Sequence, residues 1–246
     1  MIDNYILKTL EAATEALKSK KVCYSKFLDP FRQKEIEKKA KSFIDLHVMS
    51  YGGYEGAERR KLGFSTLKDA LLPQNFPVAK VKIEYDKGSS IAHKDILGAA
   101  IGLGINRDKL GDVAMLVDSA CIITDSKIAV YIVDNLQIIG KTSATCTLLG
   151  YDDIIYPLDN KIKDHISSSS LRFDNILSVA FNVSRPTIVR SIKKGSAFIN
   201  WQKMQNPTKQ IKNGDMLTLR GYGRIKIEDI QENDKKGGNN IDIIRF

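Results

Sequence analysis

Apolar positions fall at helical spacing near the start of the chain, then in alternation, then at helical spacing again. Ile6, Leu10, Ala13 and Leu17 recur every three or four residues with lysine and glutamate between them, which predicts an amphipathic helix over residues 3–20. A second helix is expected from Asp29-Pro30, where the carboxylate caps free N–H groups and the proline suits the first turn. Ile36, Ala40, Phe43 and Ile44 are expected to line its buried face. In residues 78–85 the period drops to two, with Val81, Ile83 and Tyr85 on one side and Lys80, Lys82 and Glu84 on the other, the pattern of a half-buried strand. Residues 92–103 return to a helical pattern. Two short apolar runs, 113–117 and 120–124, flank Asp118-Ser119 as a hairpin would. Residues 126–136 read as helix and 142–149 as extended chain.

That order, β-α-β-β-α-β, is the ferredoxin-like or RNA-recognition-motif layout. In RNA-recognition motifs, aromatic side chains on the two central strands stack bases. Residues 113–117 and 120–124 contain no aromatic residue, so the middle domain is read as a scaffold or protein-contact domain. The expected fold class is α+β. Its parts are a helical N-terminal domain with a glycine-rich loop (1–75), the βαββαβ domain (76–156), a linker (157–170) and a C-terminal domain (171–246). The linker assignment rests on Pro157, Asp159-Asn160 and the serines from 167 to 170.

In the C-terminal domain a helix is predicted over 171–181, with Leu171, Ile176, Leu177 and Ala180 apolar. Asn182-Val183-Ser184 interrupts it. Ser184 then caps a second helix, 185–194, which Gly195 stops. Ile188, Val189 and Ile192 share one stripe of that helix, while Thr187, Arg190 and Lys194 point away from it. A strand over 197–200, a turn containing Trp201 and Lys203, the Asn213-Gly214-Asp215 turn and a strand over 216–220 follow. Residues 231–240 read as turn and 241–246 as a last strand. The expectation is two short helices crossing a small sheet, with cations concentrated on one side.

Charge gives this domain its interest. The 246-residue chain carries a formal net charge of +9, with 43% hydrophobic and 27% charged residues, an ordinary globular composition with a basic excess. The excess is uneven: residues 171–230 hold 11 basic and 4 acidic side chains, whereas 66–160 hold 9 basic and 12 acidic. A basic block of this kind is the electrostatic footprint of a polyanion-binding surface. No stretch approaches the ~20 apolar residues of a membrane span, and the N-terminus lacks a signal-peptide pattern, so a cytoplasmic protein is expected. Three cysteines without CxxC spacing argue against a zinc site or a disulfide scaffold.

The candidate polyanion-contacting residues follow from the charge and the predicted helix faces. Arg172, Arg185, Arg190, Lys193 and Lys194 are candidates for phosphate contacts, with Ser184 and Thr187 beside them. Arg185 stands at a helix start, where the unpaired N–H groups and the dipole favour an anion. Asn200 and Lys203 belong to the same candidate surface, and Trp201 either stacks on a base or covers the sheet. In Arg220-Gly221-Tyr222-Gly223-Arg224 the glycines add no bulk, so both arginines have close access to a phosphate. The glycine-rich segment Tyr51-Gly-Gly-Tyr-Glu-Gly-Ala-Glu-Arg-Arg-Lys61 delivers Arg59, Arg60 and Lys61 and is read as a phosphate- or RNA-facing loop. His93 and Asp95 read as helix caps. The absence of a P-loop and of GxGxxG after a strand argues against nucleotide use. No catalytic residue, metal, cofactor or small-molecule substrate is expected.

The series Leu171-Arg-Phe-Asp-Asn-Ile-Leu, Ser184-Arg185, Ile192-Lys-Lys-Gly195, Ile199-Asn200, Gly214-Asp215 and Leu219-Arg-Gly221 resembles the S4 RNA-binding domain over about 60 residues. Joined to the segments from Tyr51 to Arg60, His93-Lys-Asp-Ile-Leu-Gly98, Gly102-Leu-Gly-Ile-Asn-Arg107, Gly111-Asp112 and Arg220-Gly-Tyr-Gly-Arg224, it resembles the YlmH family of bacterial S4-domain proteins along essentially the whole chain. The resemblance implies a helical N-terminal part, an RNA-recognition-motif-like middle and a C-terminal S4 domain. It also implies binding to ribosomal RNA and tRNA on the large ribosomal subunit, rescue of stalled ribosomes and a link to cell division. The sequence departs from the family at Tyr51, where phenylalanine is usual, and in Lys236-Gly-Gly-Asn-Asn, which replaces a more basic tail. The expectation is a monomeric, non-enzymatic RNA-binding protein. The alternatives are an RNA-modifying enzyme of the pseudouridine synthase or methyltransferase type, whose catalytic motifs are not found in residues 1–165, and a division-site adaptor that binds protein.

Overall fold

In the computed structural model, which describes residues 4–86, 88–159, 161–233 and 238–246, local chemistry sets most element boundaries. The chain forms two units that divide between Leu158 and Asp159. Among the described residues are six α-helices, and every paired strand is antiparallel.

The first unit begins with α1 (Asn4–Ser19), β1 (Cys23–Tyr24), α2 (Pro30–Ala40), β2 (His47–Tyr51) and β3 (Lys61–Ser65). The Asp29 carboxylate accepts from the Arg32 N–H at 2.9 Å and caps α2, with Pro30 in the first turn. The helix ends at Ala40, earlier than expected. Phe43 is half-buried and Ile44 is exposed, so neither extends the α2 face. Ile6, Ala13, Ala16, Leu28, Ile36, Leu62 and Phe64 pack the two helices onto the sheet β1-β3-β2.

The chain continues through β4 (Val78–Tyr85), α3 (His93–Gly102), β5 (Leu110–Met115), β6 (Ser119–Asp125), α4 (Ser126–Asn135), β7 (Ile138–Ile139) and β8 (Thr142–Leu149), in a sheet ordered β5-β6-β4-β8-β7. Asp95 accepts from the Ala92 N–H at 2.9 Å, the cap expected of it. One face of this sheet packs α3 and α4 through Val81, Ile83, Ile96, Ala100, Ile122 and Ile132. Toward β5 and β6 the other face is closed by Phe27 and Tyr54 from the N-terminal region and by Ile155, packed on Ala114, Cys121 and Ile123. The boundary expected near residue 75 thus separates two sheets with cores of their own, joined where Phe27 and Tyr54 pack on the second.

The second unit comprises β9 (Ile162–Ser168), α5 (Phe173–Phe181), α6 (Arg185–Lys193), β10 (Ala197–Ile199), β11 (Gln202–Lys203), β12 (Met216–Leu219), β13 (Gly223–Asn233) and β14 (Gly238–Arg245). Its sheet runs β11-β10-β12-β13-β14-β9, and α5 and α6 pack on one face of it through Phe173, Ile176, Leu177, Ile188 and Ile192. Asn182 takes φ +52° to end α5, and Gly195 takes φ +75° after α6. The segment read as a linker holds β9, which pairs with β14 from Ile162↔Arg245 to Ser168↔Asn239. Ile166 is the only large apolar side chain that β9 buries, so its composition looks like loop. The turn expected over 231–240 is strand at both ends, while residues 234–237, with Lys236 of the departing tail, lie outside the described residues.

Candidate nucleic-acid interface

The glycine-rich segment of the first unit does not present a phosphate loop. Lys61 is 2% exposed, and its ammonium donates to the Asp125 carboxylate at 2.6 Å. Burial draws the Lys61 ammonium below the ordinary lysine range, and the bond to Asp125 opposes that pull. Burial would raise the Asp125 carboxyl, but bonds from Lys61 and from the Lys127 N–H hold it low. Arg59 donates to the carbonyls of Leu110, Phe27 and Arg107. Arg60, half-buried, donates to the carbonyl of Ala57 at 2.7 Å. Asp112 accepts from the N–H groups of Glu58 and Arg59, which fastens the segment to β5. The glycines serve the same fit. A Cβ on Gly53 would stand 2.9 Å from Ile123, and one on Gly111 would stand 2.9 Å from Phe27. The segment docks the N-terminal region onto the middle sheet through Arg59 and Lys61, while Arg60 is held locally by Ala57 and Ser50.

In the second unit the helix layer carries the cations that the sequence singled out. Asp174, 1% exposed, sits in the first turn of α5. Its carboxylate holds the guanidinium of Arg172 at 3.1 Å and that of Arg185 at 2.9 Å. The arginine side chains remain 36% and 49% exposed, so one buried anion fixes two cations while leaving both open to solvent. Burial alone would raise the Asp174 carboxyl; the two arginines outweigh it and keep the group below its ordinary value. Asp174 stands in the Leu171-Arg-Phe-Asp series, where the sequence alone assigns it no role. Its signal was there, as it is the only acid between residues 165 and 214 in a run rich in cations.

Ser184 occupies the N-cap position of α6 but makes no side-chain cap bond. Its hydroxyl meets that of Thr187 at 2.9 Å, and Thr187 accepts from Arg190 at 3.3 Å. The three form an exposed polar ridge on α6. Lys193 and Lys194 are exposed at its C-terminal end. Against a phosphate backbone this layer offers two preoriented guanidinium groups, a third on the ridge and two ammonium groups.

The remaining candidates do not join that layer. Strand register gives each side chain its face of the sheet: Ala197, Ile199, Leu217, Leu219, Ile225 and Ile227 point to the helices, so Phe198, Thr218 and Arg224 point away. Arg220 stacks on the Phe198 ring at 4.7 Å, and Arg224 on the Phe246 ring at 4.6 Å. Lys203 pairs with Phe198 across β10 and β11, and its stem lies over Gly195, where a Cβ would collide with it. The expected gathering of all cations on one side is therefore corrected, with one group on the helix layer and another on the opposite face.

Asn200 and Trp201 take φ +49° and +63° at the hairpin tip between β10 and β11. The Asn200 side chain donates to Asp215 and accepts from the Met216 N–H, both at 2.8 Å, and so ties two turns together. Trp201 is half-buried. Gly221 takes φ +87°, and Tyr222 turns toward α5, its ring 6.4 Å from that of Phe181. Among the described residues, no group of three His, Cys, Asp or Glu could hold a metal ion, and no helix is long and apolar enough to cross a membrane.

Residues 4–67 match a family model described as "YlmH, N-terminal", and residues 73–153 one described as "Putative RNA-binding domain in YlmH". A curated relative from Bacillus subtilis (strain 168), "Ribosome-associated protein quality control protein P2", is 29% identical over 214 residues, 85% of this chain and 82% of the relative. A solved structure, "Cell division protein ylmH from Streptococcus pneumoniae", shares the fold with a TM-score of 0.51 at 22% identity, over 61% of this chain and 93% of that one.

Proposed function

The chain belongs to the YlmH family, and from that premise we propose that it is a non-enzymatic RNA-binding protein that acts on the ribosome in translation quality control. The second unit is read as an S4 domain that grips phosphates with its helix layer. The middle of the first unit is read as ferredoxin-like, since β8-β4-β6-β5 is the strand order of a split βαβ fold. The central strands are β4 and β6; residues 113–117, expected to be central, belong to the edge strand β5, because β4 pairs between β6 and β8. The two central strands put Lys80, Lys82, Cys121 and Ile123 on the helix-free face where a base-stacking domain has aromatics. Part of that face is closed by Phe27 and Tyr54. This arrangement favours a scaffold role for the middle domain. Any RNA it meets would use the open strip at Lys82, Thr145 and Thr147.

The observation that carries the reading is Asp174 with Arg172 and Arg185: a buried carboxylate holding two open guanidinium groups beside the exposed Arg190, Lys193 and Lys194. Five cations on one layer suit the phosphates of folded RNA, and the relative's association with ribosomes supplies the setting. The finer proposal is a cytoplasmic monomer that binds ribosomal RNA and tRNA on the large subunit and serves the rescue of stalled ribosomes. A link to cell division comes from the name of the solved relative. Crosslinking the protein to ribosomes and sequencing the attached RNA tests this. Large-subunit RNA and tRNA recovered through α5 and α6 are expected, and crosslinks spread evenly over both units would overturn it. Nucleoside mass spectrometry of the same RNA is expected to show no protein-dependent modification.

A further inference from the structure

The helix-free face of the second sheet carries side chains with a different chemistry. Cross-strand register lays them out in rows. One row runs Lys203, Phe198, Thr218, Arg224 across β11, β10, β12 and β13. The next runs Met216, Lys226, Ile244, Lys163 across β12, β13, β14 and β9. Four cations stand in these rows, and Arg220 lies over Phe198 beside them, with no acid in either row. Acids come in farther along the strands, where Asp242 faces His165 and Glu228 meets Lys226. At a strand spacing of ~4.8 Å the first row spans about 14 Å. Its two guanidinium planes are already stacked on rings, Arg220 on Phe198 and Arg224 on Phe246.

A flat guanidinium–aromatic pair is a stacking platform, and lysines along the same rows suit a backbone running beside it. A duplex hides its base faces, whereas an unpaired strand offers them. We infer that this face binds single-stranded RNA by stacking on the Arg220–Phe198 and Arg224–Phe246 pairs, as a site separate from the helix layer. The inference extends the RNA-binding reading above and rests on it only for the class of ligand. Cation-rich rows and two arginines stacked on rings, the half-buried Phe198 and the exposed Phe246, make the fit to a polyanion with π-faces better than to an acidic peptide, which would use the charges and ignore the stacks.

The test measures affinity of the full chain for two labelled probes, a short CA-repeat oligoribonucleotide that forms no duplex and an RNA hairpin. Phe198→Leu with Phe246→Leu keeps apolar bulk and removes both stacks. It is expected to weaken oligonucleotide binding about tenfold or more and leave hairpin binding within about twofold. Arg185→Ala with Arg190→Ala is expected to do the reverse. Arg220→Gln, at an exposed position, gives a smaller loss in the same direction as the phenylalanine pair and covers the event that the leucines perturb folding, which the melting temperature reports. Unchanged oligonucleotide binding in both Phe198→Leu/Phe246→Leu and Arg220→Gln overturns the inference. So does equal affinity of the wild type for a polyglutamate peptide. Unchanged hairpin binding in Arg185→Ala/Arg190→Ala instead counts against the helix-layer reading and leaves the sheet-face result to stand alone.

Discussion

Replacing Lys61 by methionine separates a structural from an RNA-contacting role for the glycine-rich segment. Lys61 and Asp125 have 2% and 9% of their side-chain surface exposed and meet at 2.6 Å. Removing one partner of a buried pair strands the other charge, which costs about 3–5 kcal/mol. Asp125 keeps its bond from the Lys127 N–H, and Lys109 stands 3.6 Å away, so the cost falls at the low end, about 3 kcal/mol. For a unit of this size that lowers the melting temperature by about 6–12 °C. Lys61→Met with Asp125→Asn removes the stranded charge and should recover most of the loss. Asparagine keeps an oxygen to accept from the Lys127 N–H, so the helix cap survives in that double variant and the remaining deficit should be a few tenths of a kcal/mol. Differential scanning fluorimetry with urea titration reads both. RNA affinity of the folded Lys61→Met protein is expected to stay within about twofold of wild type with an unchanged salt slope, since loss of a phosphate contact would flatten that slope by about 0.9. A normal melting temperature together with a large loss of RNA binding would refute the reasoning, because Lys61 would then be facing its ligand and not Asp125.

The salt dependence of hairpin binding counts phosphate contacts: five helix-layer cations predict a slope near about −4.5 and a loss of about 500-fold between 50 and 200 mM salt. Asp174→Asn should lower RNA affinity without touching RNA, because Arg172 and Arg185 lose the anion that fixes them; double-mutant cycles with Arg185→Ala measure the coupling. The Asp174 carboxyl is held low in the folded state, so its contribution is complete above the unfolded value near about pH 4 and is lost as pH falls through the folded one. Acid unfolding of the second unit should accordingly lose part of its steepness in Asp174→Asn. Gly53→Ala, with φ +93° and a Cβ 2.9 Å from Ile123, should destabilise the first unit by about 2 kcal/mol in urea unfolding while leaving RNA binding intact.

Elements with a clear period were legible: α1, β4, α4, α5 and α6 fall within a few residues of their predicted bounds. The cations of α6 were placed correctly on its solvent side, since a helical stripe fixes both faces at once. Legibility ended where a partner lies far along the chain. Lys61 reads as a third consecutive cation, and only the fold brings Asp125, 64 residues later, against it. Gly53 reads as part of a phosphate-facing loop and Gly111 only as a motif position, while their use is to let Ile123 and Phe27 approach. β9 has one buried isoleucine and a serine run, so its pairing with β14 is a tertiary fact with almost no local signal. The split of the C-terminal cations between two faces was hidden for a related reason. Placing Arg224 opposite α6 requires the register of β12 with β13, and spacing within the chain does not supply it.

Ribosome cosedimentation of full-length Arg185→Ala/Arg190→Ala tests the central claim most directly. Arg190 is exposed and Arg172 still pairs with the buried Asp174, so the variant should keep its fold by circular dichroism, with a lowered melting temperature from the lost Arg185–Asp174 pair. Its fraction in the ribosomal pellet at near-physiological salt should fall by at least about tenfold relative to wild type. A folded variant that pellets as the wild type does would contradict the assignment of the α5–α6 layer as the RNA-gripping surface.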